Sequence, residues 1–259
     1  MASSKFVINE EKLQSACDRL TNLYRQIPDT TGCLENIKKE GGCCAWCCQI
    51  QTPQLLYCEF RRAIAHITKT WEPDQIIGLL EKALRTYLSD NITKGCIMFD
   101  DKNHLCRCHA VRPYNCYCYG ISPRKEFAER VERIKAQYAG SKKLAIFKDQ
   151  CDLIQTMDGR KEVSTQEIDD WWKQLVEIEK SIGIKEKMIT DEPGGAYRTF
   201  HDHLLIYLLP GYMMENLSVV RQHGDNFEKD NLVKKFVEIF KKAFSNNLNN
   251  DTTGSTTKE

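Results

Sequence analysis

The sequence predicts a mainly α-helical domain carrying a cysteine-rich metal-binding loop region and one small β-hairpin. Three observations predict it. Apolar residues recur with a period near 3.6 over most of the chain, the signature of amphipathic helices. One short strand–turn–strand signal stands out at 96–108. The chain holds 13 cysteines, and ten of them fall between Cys43 and Cys118.

The first helix is read over residues 10–27, where Leu13, Ala16, Cys17, Leu20, Leu23, Tyr24 and Ile27 share one face and Pro28 ends the run. Residues 29–54 mix Gly32, Gly41, Gly42 and Pro53 with cysteines and read as a loop. A helix is expected over 55–70. A second opens at Pro73-Asp74, where proline's missing N–H had no intrahelical partner, and buries Ile76, Ile77, Leu80, Leu84 and Tyr87. Cys96-Ile97-Met98-Phe99, the polar quartet Asp100 to Asn103, and His104-Leu105-Cys106 form the hairpin signal. A loop over 109–121 leads to a helix from Ser122-Pro123 to about Ala139. Ser164 and Glu167 fit a capping box for a helix ending near Gly183. A loop over 191–196 precedes an apolar helix at 199–209. The last helix, about 227–244, is expected to turn Phe236, Ile239, Phe240 and Phe244 inward. Residues 1–244 thus read as a single helical domain, with the cysteine cluster at 33–118. The Asn-, Thr- and Ser-rich stretch 245–259 reads as a disordered tail.

Composition narrows the function. Lys and Arg number 37 against 36 Asp and Glu, a net charge of +1, so no nucleic-acid or acidic-membrane partner is indicated. No run of about 18 apolar residues suggests a membrane span. The opening residues lack the apolar core of a signal peptide, so the expected location is cytoplasmic. In a reducing compartment, clustered thiols point to metal ligation or catalysis rather than disulfides. Nothing matches G-x-S-x-G, H-E-x-x-H or a dinucleotide fingerprint, and the glycines of Glu192–Ala196 are no phosphate loop, because no G-K-[ST] follows.

The thiols form two blocks. The first, GGCCAWCCQI, holds Cys43, Cys44, Cys47 and Cys48, with Cys33 upstream. The second holds Cys96, Cys106, Cys108, His109, Arg112, Pro113, Cys116 and Cys118. Two residues between cysteines let both thiolates face one ion, as in zinc and iron–sulfur sites. A helical hairpin returns the chain to its start and so can join the blocks. The metal candidates are therefore Cys43, Cys44, Cys47, Cys48, Cys96, Cys106, Cys108, Cys116 and Cys118. Arg112 and Tyr117 are candidates to contact a cofactor, and the aromatic residues Trp46, Tyr114 and Tyr119 to shield it. Plainer readings stand beside these. Cys17 lies on an apolar face and reads as a core residue, and Cys58 reads as either core or ligand. Cys151 reads as structural, Arg112 as a hydrogen-bonding hub, and the pair Trp171-Trp172 as core. His109 reads as a packed residue or a ligand. His201 and His203 point about 200° apart on a helix and cannot easily share an ion.

The C-x-x-C-C run, the later cysteine before a short turn and the R-P-x-x-C run resemble the YkgJ-type cysteine-cluster proteins, described as zinc- or iron-chelating domains. The matching positions are Cys44, Cys47, Cys48, Cys96, Cys106, Arg112, Pro113 and Cys116, within residues 33–118. Gly41 stands where that pattern has its first cysteine, Cys108-His109 replaces an Ile-Tyr pair, and Tyr117 replaces an arginine. Related motifs occur in flagellin lysine N-methylases, which implies protein or peptide partners and S-adenosylmethionine for some relatives. The expected cofactor is an iron–sulfur cluster of the 4Fe-4S type, because the thiols outnumber the four that one zinc ion needs, with a redox or group-transfer role. Zinc holding a structural or interaction module is the alternative, and a lysine N-methylase-like enzyme is a further one.

Overall fold

The computed structural model describes residues 8–29, 52–89, 95–103, 105–119, 121–123, 159–160, 162–190 and 195–253, with single positions 125, 128, 129, 132 and 156; side chains are described as far as residue 243. Cys33, Cys43, Cys44, Trp46, Cys47, Cys48 and Cys151 lie outside the described residues, as do the 30–51 loop, most of the 123–139 helix and residues 254–259.

The described residues are mainly helical, with a small antiparallel hairpin as the sequence predicts. Helix α1 spans Glu10–Tyr24. The Asn9 side chain accepts hydrogen bonds from the Glu11 and Lys12 amides at 2.8 and 3.1 Å, covering two of the donors a helix start leaves unpaired. Strand β1 is Gln54–Leu55, α2 is Tyr57–Thr70 and α3 is Pro73–Leu88. Glu72 and Gln75 close a capping box ahead of α3. Strands β2 (Phe99–Asp100) and β3 (Leu105–Cys106) pair antiparallel, Phe99 opposite Cys106. A 3₁₀ turn at His109–Val111 leads through Arg112-Pro113 into the one-turn helix α4, Tyr114–Tyr117. Helix α5 is Thr165–Ser181, opened by the Ser164–Glu167 capping box. It stops at Gly183, whose φ of 97° is a left-handed value that suits glycine. Strand β4 is Arg198–Thr199, followed by α6 (Phe200–Leu208), α7 (Gly211–His223) and α8 (Asn226–Thr253).

The chain divides into two compact units. The larger comprises Phe6–His66 and Asn91–Phe200. Its core sets α1 against α5 and pairs β1 antiparallel with β4. Leu20, Leu23, Leu55, Leu56, Phe60, Ile121 and Leu175 are fully buried in it. The smaller comprises Ile67–Asp90 and His201–Glu259, with Met1–Lys5 grouped to it. There α3 packs on α7 and α8, and Leu80, Ala83, Leu84 and Leu88 meet the side that α8 buries through Leu232, Val233, Phe236 and Val237. This corrects the expected stripe of α8: Phe236 is inside, but Ile239 is 39% exposed, because the packed face runs one helical step earlier. Helix α8 also continues to Thr253, past the expected end at 244. Helical hydrogen bonds propagate within one segment, so the backbone continues past the last packed residues. Among the described residues no helix is long and apolar enough to cross a membrane.

Candidate metal centre

The hairpin places the second thiol block. Cys96 and Met98 lie on one arm of the hairpin and Cys106 and Cys108 on the other, with Met98 and Cys108 each in a turn beside the two-residue strands. The Arg107 amide donates to Met98 O at 3.0 Å across the two arms, and the Phe99 amide donates to Cys96 O at 3.0 Å within the first. Arg112 and Pro113 then carry the chain to α4, where Asn115 Nδ2 donates to Gln54 O at 2.6 Å. That bond holds Cys116 beside β1.

Four cysteines from this block, Cys96, Cys106, Cys108 and Cys116, line a single cavity of about 30 Å³ together with Met98. Pro53, Leu55, Ala63 and Phe200 supply apolar wall, and Arg112 is the charged residue on it. The volume suits one or two water-sized bodies. Among the described residues, no three His, Cys, Asp or Glu side chains converge on one point as metal ligands. Cys118 is buried away from the cavity wall, with its thiol engaged by the Tyr114 side chain. Tyr117 also lies off the wall: its ring stacks on Tyr24 with centroids 4.6 Å apart. Arg112 sits over the other face of this pair, its guanidinium carbon 4.3 Å from the Tyr117 centroid, and its Nη1 lies 2.7 Å from His109 Nε2. Burial, and then Arg112, push the His109 pKa down, so a neutral ring accepts that bond. Arg112 Nε is buried with no acceptor among the described residues.

Two of the thiols, Cys108 and Cys118, are held protonated. Burial raises the Cys108 pKa strongly, and the neighbouring Cys106 and Cys96 add to it. Burial likewise pushes Cys118 up to about 12. A cation bound by Cys108 in the cavity would have to displace its proton, so binding would release acid.

Behind the cavity lies a polar hub that sequence reasoning missed. Glu59 accepts hydrogen bonds from the Leu56 amide at 2.8 Å, the Tyr114 amide at 2.6 Å and the Tyr24 hydroxyl. Glu179, from α5, accepts from the amides of Tyr57 and Cys58 at 2.9 Å each, closing the start of α2. Both carboxyls are buried, and burial raises both pKa values, Glu179 to about 7. Cys58 is fully buried beside Glu179 and does not line the cavity. The Glu179 contact spans 121 residues and leaves no local pattern.

The other candidates are dispersed. Trp171 is buried and Trp172 packs at 5.8 Å on Tyr114. His203 is buried, and His201 Nε2 lies 3.7 Å from its neighbour Asp202. Compared with protein families, curated proteins and solved structures, the chain matches none.

Proposed function

We propose that this protein is a metal-binding cysteine-cluster protein of the YkgJ type, carrying an iron–sulfur centre with a redox or group-transfer role. The observation that carries the reading is the cavity itself. Cys96, Cys106, Cys108 and Cys116 come from three separate turns of chain to one apolar pocket with a guanidinium on its wall. Thiols gathered in that way, with no carboxylate among them, are the ligand type of thiolate-held metal. Cys43, Cys44, Cys47 and Cys48 would supply further thiolates, and the total exceeds what one zinc ion takes. Arg112 would place positive charge beside an anionic cluster, which raises its reduction potential. The cluster would supply electron transfer or Lewis acidity. The chain's own residues would hold it, exclude water through Pro53, Leu55 and Phe200, and orient Arg112 through Tyr117 and His109.

The small cavity volume favours a second reading, in which one zinc ion ties the loops together as a structural or interaction module. An ultraviolet–visible spectrum with iron, zinc and sulfide analysis on protein purified without oxygen separates the two. A brown protein with a band near ~400 nm and matching iron and sulfide is expected. A colourless protein with stoichiometric zinc and no sulfide would overturn the iron–sulfur reading. Calorimetry with S-adenosylmethionine tests the lysine N-methylase-like alternative.

A further inference from the structure

We infer that Glu59 is the positioning residue of the thiol cavity: it holds the wall from behind and so sets how firmly a metal is kept there. The inference rests on the reading of that cavity as the metal centre, and it adds no ligand to it.

The first argument is where the bonds of Glu59 lead. The residue is buried on α2 and does not line the cavity, yet Ala63, one helical turn further on the same face, does. Its carboxylate accepts from three donors, and each belongs to, or leans on, a wall residue. Oε2 accepts from the Leu56 amide at 2.8 Å, in the peptide that follows Leu55. Oε1 accepts from the Tyr114 amide at 2.6 Å, in the peptide that follows Pro113. Pro113 O in turn accepts from the Cys116 amide at 2.9 Å, so this bond anchors the turn that carries a wall thiol. Oε1 also accepts from the Tyr24 hydroxyl, whose ring stacks on Tyr117 opposite the Arg112 guanidinium. One carboxylate thus ties the start of α2, the Cys116 turn and the charged residue of the wall to each other.

The second argument is the chemistry of the acceptor. Two N–H groups and one O–H converge on two oxygens, which suits an acceptor-only group. Glutamine would present one oxygen and an NH₂, setting a donor against either the Leu56 or the Tyr114 amide. A buried donor left unpaired in this way costs its full desolvation. Glu179, the other buried carboxyl at the start of α2, provides the contrast. It accepts from the amides of Tyr57 and Cys58, and neither residue lines the cavity. The two carboxyls share a helix start and a buried setting, but Glu59 is the one whose bonds run to the wall.

Full-length wild type, Glu59→Gln and Glu179→Gln are purified without oxygen, and loss of metal to EDTA is followed by elemental analysis. Glu59→Gln is expected to lose metal about 10- to 100-fold faster, the usual effect of removing a group that fixes metal ligands. Glu179→Gln is expected to keep the wild-type rate although it weakens the same helix start, which separates positioning from a merely structural role. Amide exchange followed by NMR on the same samples reads the position without reference to metal. The Tyr114 and Cys116 amides should lose protection in Glu59→Gln and keep it in Glu179→Gln. Unchanged protection in Glu59→Gln, or metal loss as fast in Glu179→Gln, would overturn the inference. Should Glu59→Gln not fold, the wild type decides: a Tyr114 amide that exchanges as fast as an open one refutes the tether, and protection of at least ~10-fold supports it. A wild type holding neither iron nor zinc sinks the metal-centre reading, and the role in metal retention with it, while the exchange pattern separately decides whether Glu59 holds the wall.

Discussion

The buried carboxyl of Glu179 gives the most quantitative expectation. Burial raises its pKa from an ordinary 4.5 to about 7, and the Cys58 thiol and the amides of Cys58 and Tyr57 offset only part of that. Between those two values the folded protein retains a proton that the unfolded chain has released. Stability is therefore fully present below pH 4.5 and is lost as pH rises to about 7. Each pH unit in that window costs about 1.4 kcal/mol, so the interval costs on the order of 3 kcal/mol. Glu59 titrates in the same direction. His109, whose pKa is lowered, works in the opposite direction, because its unfolded form binds the proton that the folded form refuses. Comparison with Glu179→Gln removes His109 from the account and most of Glu59, whose charge is the smallest of the named influences on Glu179. Glutamine offers one acceptor oxygen to two amides 2.9 Å from the carboxylate oxygens, so the variant is expected to be less stable at pH 5. That gap should narrow by about 3 kcal/mol at pH 8, as the wild type alone pays for burying a charge. Urea unfolding at pH 5, 6, 7 and 8 measures it. Parallel stability profiles for the two proteins would refute the argument.

Two further expectations concern the frame. Phe60 is fully buried, with its ring edge-on to Phe200 at 5.3 Å, and Phe60→Ala should cost about 3–5 kcal/mol in chemical unfolding; a cost under about 1 kcal/mol would mean that the core collapses into the space. Ser164 caps α5 by accepting from the Glu167 amide at 3.2 Å, so Ser164→Ala should cost about 1 kcal/mol, measured by thermal unfolding, and no loss would show that Glu167 and Arg160 hold that helix start unaided.

How far the sequence discloses the fold depends on how local the cause is. Helix α1 was legible because its apolar residues keep step with the helix and Pro28 stops them; Leu13, Ala16, Leu20, Leu23 and Tyr24 are indeed inside. The Ser164–Glu167 box and the Phe99–Asp100 hairpin were legible because each is a contact within a few residues. Helix α7 went unread: Leu217 is its fully buried residue, and Tyr212 and Val219 face solvent, so no apolar period marks it. The β1–β4 pair is two residues long on each side and far apart in sequence, below what alternation can signal. At the site, the thiols announced themselves by number. Their gathering on one wall depends on Asn115 bonding to Gln54 and on Glu59 bonding to Tyr114, contacts across 61 and 55 residues.

Tyr24 shows how the core of α1 reaches the cavity wall. Its hydroxyl donates to Glu59, its ring stacks on Tyr117, and Tyr117 carries the Arg112 guanidinium on its far face. Arg62 approaches the Tyr24 ring at 5.2 Å. Tyr24→Phe keeps the ring and removes only the donor, so it separates the hydrogen bond from the stack. A bond to a buried carboxylate is worth about 1.5–3 kcal/mol, and one to a neutral acid about 1 kcal/mol. The variant should therefore lose about 2 kcal/mol on the alkaline side of the Glu59 titration and less in acid, once Glu59 has taken up its proton. Losing the phenol also removes something that favours the charged form, so the Glu59 pKa should rise further. Unfolding free energies across that pH range measure the first effect, and carboxyl titration followed by NMR measures the second. A loss of equal size at every pH, with no movement of Glu59, would show that the Tyr24 hydroxyl does not sense the charge on Glu59.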